Sequence, residues 1–214
     1  MKILNVAVGR PQHIEWQGDL VLTSIVKTAV THRVWVSRTN IQGDEQSDLT
    51  VHGGSGKAVY VYPSEHYSAW RHELSIDVLP WASFGENLTA VGLREDEVFI
   101  GDRYRIGSAE FIVTQPRLPC YKLALKFGRA DIVRRFSKAD RSGFYLAVER
   151  EGEIGVDDDV VLLERDTHAL TVAEAYRLKL GGGSRTRLEV AATHPALPPG
   201  WRSAFQRRLD GDDA

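Results

Sequence analysis

Gln115-Pro116-Arg117-Leu118-Pro119-Cys120-Tyr121-Lys122-Leu123 carries the one cysteine of this 214-residue chain. A lone thiol forms no internal disulfide and cannot build a zinc site from several cysteines. Two prolines stiffen the backbone beside it, and Arg117 and Lys122 are cations that favour a thiolate. A thiolate in that setting can attack an electrophile, carry sulfur, or supply the single protein bond to a metal whose other ligands belong to a cofactor. The alternative is a buried cysteine acting as a small hydrophobe.

Outward from this stretch, residues 2–163 read as short runs rich in β-branched and aromatic residues. These are 3–8, 24–30, 33–36, 58–62, 103–106, 110–114, 143–148 and 160–163, punctuated by Gly, Pro, Asn and Asp. Many short strands at this spacing predict a mainly β fold, a closed or nearly closed barrel. Two helices are expected inside it. Residues 64–74 place His66, Tyr67, Trp70 and Leu74 on one face behind Ser64 as N-cap, and residues 131–137 place Ile132, Val133 and Phe136 at helical spacing.

The pattern changes after Arg165. Thr171-Val172-Ala173-Glu174 is a capping box, Gly181-Gly182-Gly183-Ser184 a flexible joint, and a second helix fits 186–192. A third starts at Pro198-Pro199 and runs through Trp201, Phe205 and Leu209. The division expected is a barrel over 1–166 and a three-helix domain over 167–214. Helices this short are marginal alone, so they pack on the barrel or on a second subunit, which leaves a homodimer open.

Lys and Arg total 27 against 29 Asp and Glu, a net charge of −2. Bulk electrostatics therefore give no reason to expect nucleic-acid or membrane binding. The apolar run after Met1 is too short for a signal peptide, and no segment reaches the ~20 apolar residues of a membrane span. With one free cysteine, a reducing cytoplasm is the expected location.

Gly53-Gly54-Ser55-Gly56-Lys57-Ala58 fails as a P-loop, because Val51 and Ala58 stand where Gly and Ser or Thr are needed. It reads as a tight turn that can offer backbone N–H groups and Lys57 to an anion. Thr23-Ser24-Ile25-Val26-Lys27 is a second anion candidate, with two hydroxyls and an ammonium. The seven histidines show no metal-ligand spacing. His52 stands out for lying beside the glycine turn, where backbone approaches a ligand closely. Phe84-Gly85-Glu86-Asn87-Leu88 offers a carboxylate and an amide after a permissive glycine. No nucleophile elbow supports a hydrolase, and no flavin or nicotinamide fingerprint is present, so electrons for any redox reaction come from a separate protein.

Taken in order, Gly43-Asp44-Glu45-Gln46, Val51-His52-Gly53-Gly54, Lys57-Ala58-Val59-Tyr60, Tyr62-Pro63-Ser64-Glu65-His66-Tyr67 with Trp70, Phe84-Gly85-Glu86-Asn87-Leu88, Gly92-Leu93, Ile100-Gly101-Asp102 and the Cys120 segment resemble the MOSC-domain family, in particular its YiiM-like branch. The resemblance covers roughly residues 1–165, and the three-helix appendix resembles the one that follows the barrel in that branch. It implies the molybdenum cofactor (molybdopterin), with Cys120 as the metal ligand, a soft sulfur donor for such a centre. Arg117 and Lys122 would stabilise the anionic cofactor, the glycine turn with Lys57 and the Thr23, Ser24 and Lys27 stretch would meet its phosphate, and Asn87 and His52 would lie near pterin or substrate. The activity implied is reduction of small N-hydroxylated compounds such as 6-hydroxylaminopurine, a detoxification, with a separate flavoprotein donating electrons. From a different class come a sulfur carrier using a Cys120 persulfide and a non-catalytic cofactor-binding module.

Overall fold

The computed structural model describes residues 1–47 and 54–211. Two of the expected site residues, His52 and Gly53, lie outside the described residues. The strands are β1 Lys2–Val8, β2 Gln12–Trp16, β3 Asp19–Thr23, β4 Thr28–Val30, β5 Val34–Val36, β6 Val59–Pro63, β7 Leu88–Val91, β8 Arg103–Ile106, β9 Ala109–Pro116, β10 Phe144–Arg150, β11 Gly152–Ile154 and β12 Val160–Glu164. The helices are α1 His66–Leu74, α2 Tyr121–Phe127, α3 Ile132–Lys138, α4 Val172–Lys179, α5 Arg185–Thr193 and α6 Pro199–Asp210.

Eight strands form one sheet in the order β12-β8-β9-β10-β6-β7-β1-β4, with only β6 and β7 parallel. The sheet curls until β1 meets the start of β12, where Ile3 N–H donates to Asp158 O at 3.0 Å and Val160 N–H to Met1 O at 3.1 Å. This is the nearly closed barrel that the strand spacing predicts.

β6 shows how the barrel and its outer helices share one strand. All five of its residues are buried. Successive side chains point to opposite faces. Val59 and Val61 therefore enter the barrel core, while Tyr60 and Tyr62 enter a second cluster with Trp70, Phe84, Leu123 and Phe136. Tyr62 stacks on Phe84 at 4.4 Å, and the Trp70 indole N–H donates to the Tyr62 hydroxyl at 2.6 Å. That aromatic layer pins α1, α2 and α3 against the outside of the barrel.

Several expectations are corrected. The 24–30 run is a strand only from Thr28, because residues 24–27 turn to meet Gly9, where a Cβ would stand 2.7 Å from Val26 O. Ser64 is not the N-cap of α1: Glu65 holds that position, with no side-chain cap. The hairpin β2–β3, with its Gln17-Gly18 turn at positive φ, was not anticipated, nor were β7, β11 and α2. The capping box at Thr171 forms as read, with the hydroxyl accepting from Glu174 N and the Glu174 carboxylate accepting from Thr171 N.

The C-terminal helices share the barrel's core. Leu170, Val172, Ala175, Leu178, Leu197, Trp201 and Phe205 belong to the same buried cluster as Val98, Ile100 and Val113. Backbone bonds stitch the junction: Ile100 N–H donates to Leu170 O at 2.8 Å and Val172 N–H to Val98 O at 2.9 Å. Among the described residues no helix is long and apolar enough to cross a membrane.

Ending the chain at Arg165 uncovers Val98 and Ile100 and removes the burial of Leu170, Val172 and Leu178. Each large aliphatic side chain is worth about 1.5–3 kcal/mol. A chain ending at Leu180 keeps α4 and those contacts. Chemical denaturation of the two truncations is expected to rank them in that order, with the shorter one lower by at least about 3 kcal/mol.

Candidate functional site

β9 ends at Pro116, which has no N–H to extend the ladder, and the chain turns through Arg117, Leu118 and Pro119. Cys120 then takes the N-cap position of α2 and is half-buried. α2 is fixed by Leu123 and Ala124 in the aromatic layer and by Lys126, whose ammonium donates to Ile25 O at 2.9 Å and to Ala82 O. The thiol therefore stands on a helix tied to two neighbouring loops.

Cys120 opens onto a cavity of about 100 Å³. The residues brought together there include Thr23, Ser24, Lys27, Lys57, Asn87, Arg117 and Lys122, so stretches nearly a hundred residues apart in sequence meet at one wall. Gly54 heads the turn that carries Lys57, at φ 99, and is not itself part of the wall. Lys27, Lys57, Arg117 and Lys122 face Asp44 and Glu45 in this lining, a cationic surplus.

Arg117 is only 6 % exposed. Its guanidinium lies 4.9 Å from the Tyr60 ring centre and 5.5 Å from that of Phe136, a cation–π seat. Nη1 of Arg117 is buried without a hydrogen-bond partner, and so is the Ser24 hydroxyl. A buried donor left unmatched costs about 1–3 kcal/mol, more for a charged group. Both atoms belong to residues that line one cationic cavity, where an anionic, oxygen-bearing ligand could accept from them.

Lys27 and Asn87 are committed to the scaffold. The Lys27 ammonium is paired with Asp44 Oδ1, which also accepts from Gly9 N–H at 2.7 Å. Burial pushes the Lys27 pKa down, with Asp44 opposing the shift. The Asn87 amide accepts from Tyr60 N–H at 3.1 Å and donates to Ala7 O at 3.2 Å and Asp44 Oδ2 at 2.9 Å. All three of these bonds set the cavity wall, so the terminal amide positions the pocket. Glu86 is fully buried and accepts from Ala82 N–H, Phe84 N–H and Thr89 Oγ1, each at 3.0 Å, and from the Tyr67 hydroxyl. Gly85 at φ 80 permits that loop, where a Cβ would stand 2.7 Å from Ile25 Cγ1. Thr23 Oγ1 accepts from Ile25 N–H at 3.2 Å. Lys122 Nζ donates to Ser47 Oγ at 3.1 Å, and burial lowers the Lys57 pKa.

Asp44, Tyr60 and Tyr145 complete the wall and were not singled out by sequence reasoning as site residues. Asp44 stood in view within Gly43-Asp44-Glu45-Gln46, but nothing local marks its carboxylate as a hub. A further grouping escaped the spacing rule for histidines: Asp166, His168 and His194 lie together at the junction with the C-terminal helices. His194 is fully buried, with Nε2 3.2 Å from Asp166 Oδ1, and its Nδ1 accepts from Ala196 N–H at 3.3 Å. That tautomer puts the proton on Nε2 toward Asp166, so the trio is satisfied as a hydrogen-bonded clasp.

Residues 48–161 match the family model of the MOSC domain, and residues 184–212 that of the YiiM-like 3-alpha helix domain. The YflK protein of Bacillus subtilis is 39 % identical over 209 residues, covering 97 % of this chain and 94 % of that protein. The crystal structure of YiiM from Geobacillus stearothermophilus superposes with a TM-score of 0.81 at 35 % identity, covering 97 % of this chain and 98 % of that one. A protein of Gibberella moniliformis named a reductase is 31 % identical over 179 residues, which span 82 % of this chain but 32 % of that protein. The chain belongs to the MOSC-domain family, in its YiiM-like branch.

Burial, with Arg117 and Lys27 adding to it, pushes the Lys126 pKa down to about 8. The unfolded chain keeps that proton up to the ordinary lysine value of 10.5. Between pH 8 and about 10 the unfolded state therefore binds more protons, and stability rises with pH. The slope expected from this group is at most about 1.4 kcal/mol per pH unit. Denaturation midpoints measured across that window are expected to rise in the wild type relative to Lys126→Met, in which this contribution is absent.

Proposed function

We propose that the protein is a molybdenum-cofactor-dependent reductase of small N-hydroxylated compounds, with Cys120 as the protein ligand to molybdenum. The observation that carries this reading is the meeting, in the lining of one cationic cavity, of a free thiol with Arg117 and Ser24, whose Nη1 and Oγ are buried without partners. Membership of the MOSC family and a relative named a reductase support it.

The residues fit such a group. Cys120 offers a soft donor, and a single thiolate suffices when the other ligands come from a pterin dithiolene. Arg117 and Lys122 would meet anionic oxygens, and Ser24, Thr23 and Lys57 would hold the phosphate end. Asn87, Asp44 and Lys27 keep that wall in place. The bound cofactor would supply two-electron oxygen-atom transfer. The overall change is R–NHOH + 2 e⁻ + 2 H⁺ → R–NH₂ + H₂O, with the electrons delivered by a separate flavoprotein. The reducing interior of the cell is the natural setting for a half-buried thiol of this kind. Removing mutagenic or toxic N-hydroxylated metabolites is the role proposed.

Protein made in a host that synthesises the molybdenum cofactor is expected to contain about one molybdenum per chain, one for the single thiolate. Cys120→Ser is expected to lose metal and reductase activity together while its thermal unfolding is little changed, because a hard hydroxyl replaces a soft thiolate poorly. Metal-free wild type carrying labile sulfane sulfur would overturn the reading in favour of sulfur transfer.

Arg117→Ala removes a charge-assisted contact worth about 1.5–3 kcal/mol. Cofactor retention after gel filtration is expected to fall by about tenfold or more. Lys122→Ala acts in the same direction. Retention equal to wild type in both variants would mean that neither cation faces the cofactor.

A further inference from the structure

Three consecutive backbone carbonyls hold Arg117 and the tyrosines near it. Arg141 O accepts from the Tyr62 hydroxyl at 3.2 Å, Ser142 O from the Tyr60 hydroxyl at 2.8 Å, and Gly143 O from the Arg117 backbone N–H at 3.3 Å. The Tyr60 ring in turn lies beneath the Arg117 guanidinium. Residues 141–143 therefore fix Arg117 twice, at its backbone and through the ring on which its side chain rests. Gly143 lets this strap sit so close to β6. Its φ is 61, and a Cβ there would stand 2.5 Å from Val61 O and 2.8 Å from Tyr60 Cε2.

The strap is itself held by one carboxylate. In the run Arg94-Glu95-Asp96-Glu97 only Glu95 is buried, at 3 % exposure. Its Oε1 accepts the Gly143 N–H at 2.7 Å, and its Oε2 lies 2.6 Å from His66 Nε2 at the start of α1. Burying a carboxylate is costly unless its oxygens are matched, and here both are. The Glu95 backbone O also accepts the Ala173 N–H at 2.9 Å, in the first turn of α4. The carboxylate thus stands on a loop that is fixed from two sides. Neither Glu95 nor His66 belongs to the lining of the Cys120 cavity.

We infer that Glu95, oriented by His66, is a positioning residue for Arg117, and that through the 141–143 strap it sets where the guanidinium stands in the cavity wall. The inference rests on the reductase reading only for what Arg117 would hold. Glu95 acts by accepting the Gly143 N–H, so a neutral amide can replace it. Glutamine keeps an oxygen for that N–H and turns its NH₂ toward His66 Nε2, which accepts in the other tautomer. Alanine leaves the buried Gly143 N–H unmatched and the strap released.

The position of Arg117 is to be read first in metal-free protein, from its backbone N–H and Nε–H signals in heteronuclear NMR spectra. Both signals are expected to move in Glu95→Ala and to return to their wild-type places in Glu95→Gln. His66→Ala is expected to move them in the same direction by less. Molybdenum retained after gel filtration, in protein made in a host that synthesises the cofactor, is the second readout. Retention is expected to fall by about tenfold in Glu95→Ala, as in Arg117→Ala, and to recover in Glu95→Gln. It is expected to fall no further when Glu95→Ala is combined with Arg117→Ala, because the two residues act as one unit. Leu188→Ala, a core deletion in α5 that lowers stability without touching the strap, is expected to retain molybdenum as wild type does. Arg117 signals that stay in place in Glu95→Ala, or in His66→Ala should Glu95→Ala not fold, would overturn the inference. So would a Glu95→Gln variant that restores nothing, or a loss in Leu188→Ala as large as in Glu95→Ala. Wild type that never holds molybdenum, with Arg117 signals that still move and return as expected, would refute the reductase reading and keep the role of Glu95.

Discussion

The buried carboxylate of Asp44 is the contact on which the pocket depends. It receives the Gly9 N–H at the end of β1, the Lys27 ammonium and the Asn87 amide. Three segments distant in sequence are thereby held at fixed separation. An ionised carboxylate is costly to bury unless its lone pairs are matched, and here they are. Losing the Lys27 ammonium would leave the carboxylate without its counter-charge. The Glu86 carboxylate does the same for the loop behind it, accepting four hydrogen bonds.

Against this satisfied frame, the unmatched atoms gain meaning. Almost all buried polar groups in native proteins have partners. Among the described residues four buried side-chain atoms lack them, Asn5 Nδ2, Ser24 Oγ, Arg117 Nη1 and Arg187 Nε, and two of the four belong to residues of the lining that also includes Cys120. The scaffold thus separates its charged groups into two kinds. Asp44, Lys27 and Asn87 are bound to one another and shape the space, and Glu86 is bound within the loop behind it. Arg117 keeps donor capacity unused among residues of that space. This organisation agrees with membership of a family associated with the molybdenum cofactor.

The helices contribute rigidity. The layer of Tyr60, Tyr62, Trp70, Phe84 and Phe136 fixes α2 and therefore the thiol at its start. Tyr60 serves both jobs, since its ring also lies beneath the Arg117 guanidinium. The C-terminal helices are bonded to the barrel through Leu170 and Val172 and share its core, so the chain's two family segments are mechanically continuous.

The barrel was legible in the sequence because alternating apolar residues and Gly-rich turns are local signals, and the Thr171 capping box because it is spelled within four residues. Cys120 and Arg117 drew attention through their setting beside prolines and cations, and the structure brings both to one cavity. The helix after Cys120 was not: it is seven residues long, has no side-chain cap, and is held by tertiary contacts. Nor could sequence separate Lys27 and Asn87, bound into the frame, from Arg117, which retains an unmatched donor. That distinction depends on which groups meet across sequence separations of 17 to 80. The sequence by itself determined the class of fold and the thiol at its centre. Only the tertiary structure decided which polar groups are satisfied by the protein and which are not, because hydrogen-bond satisfaction is a property of three-dimensional neighbours.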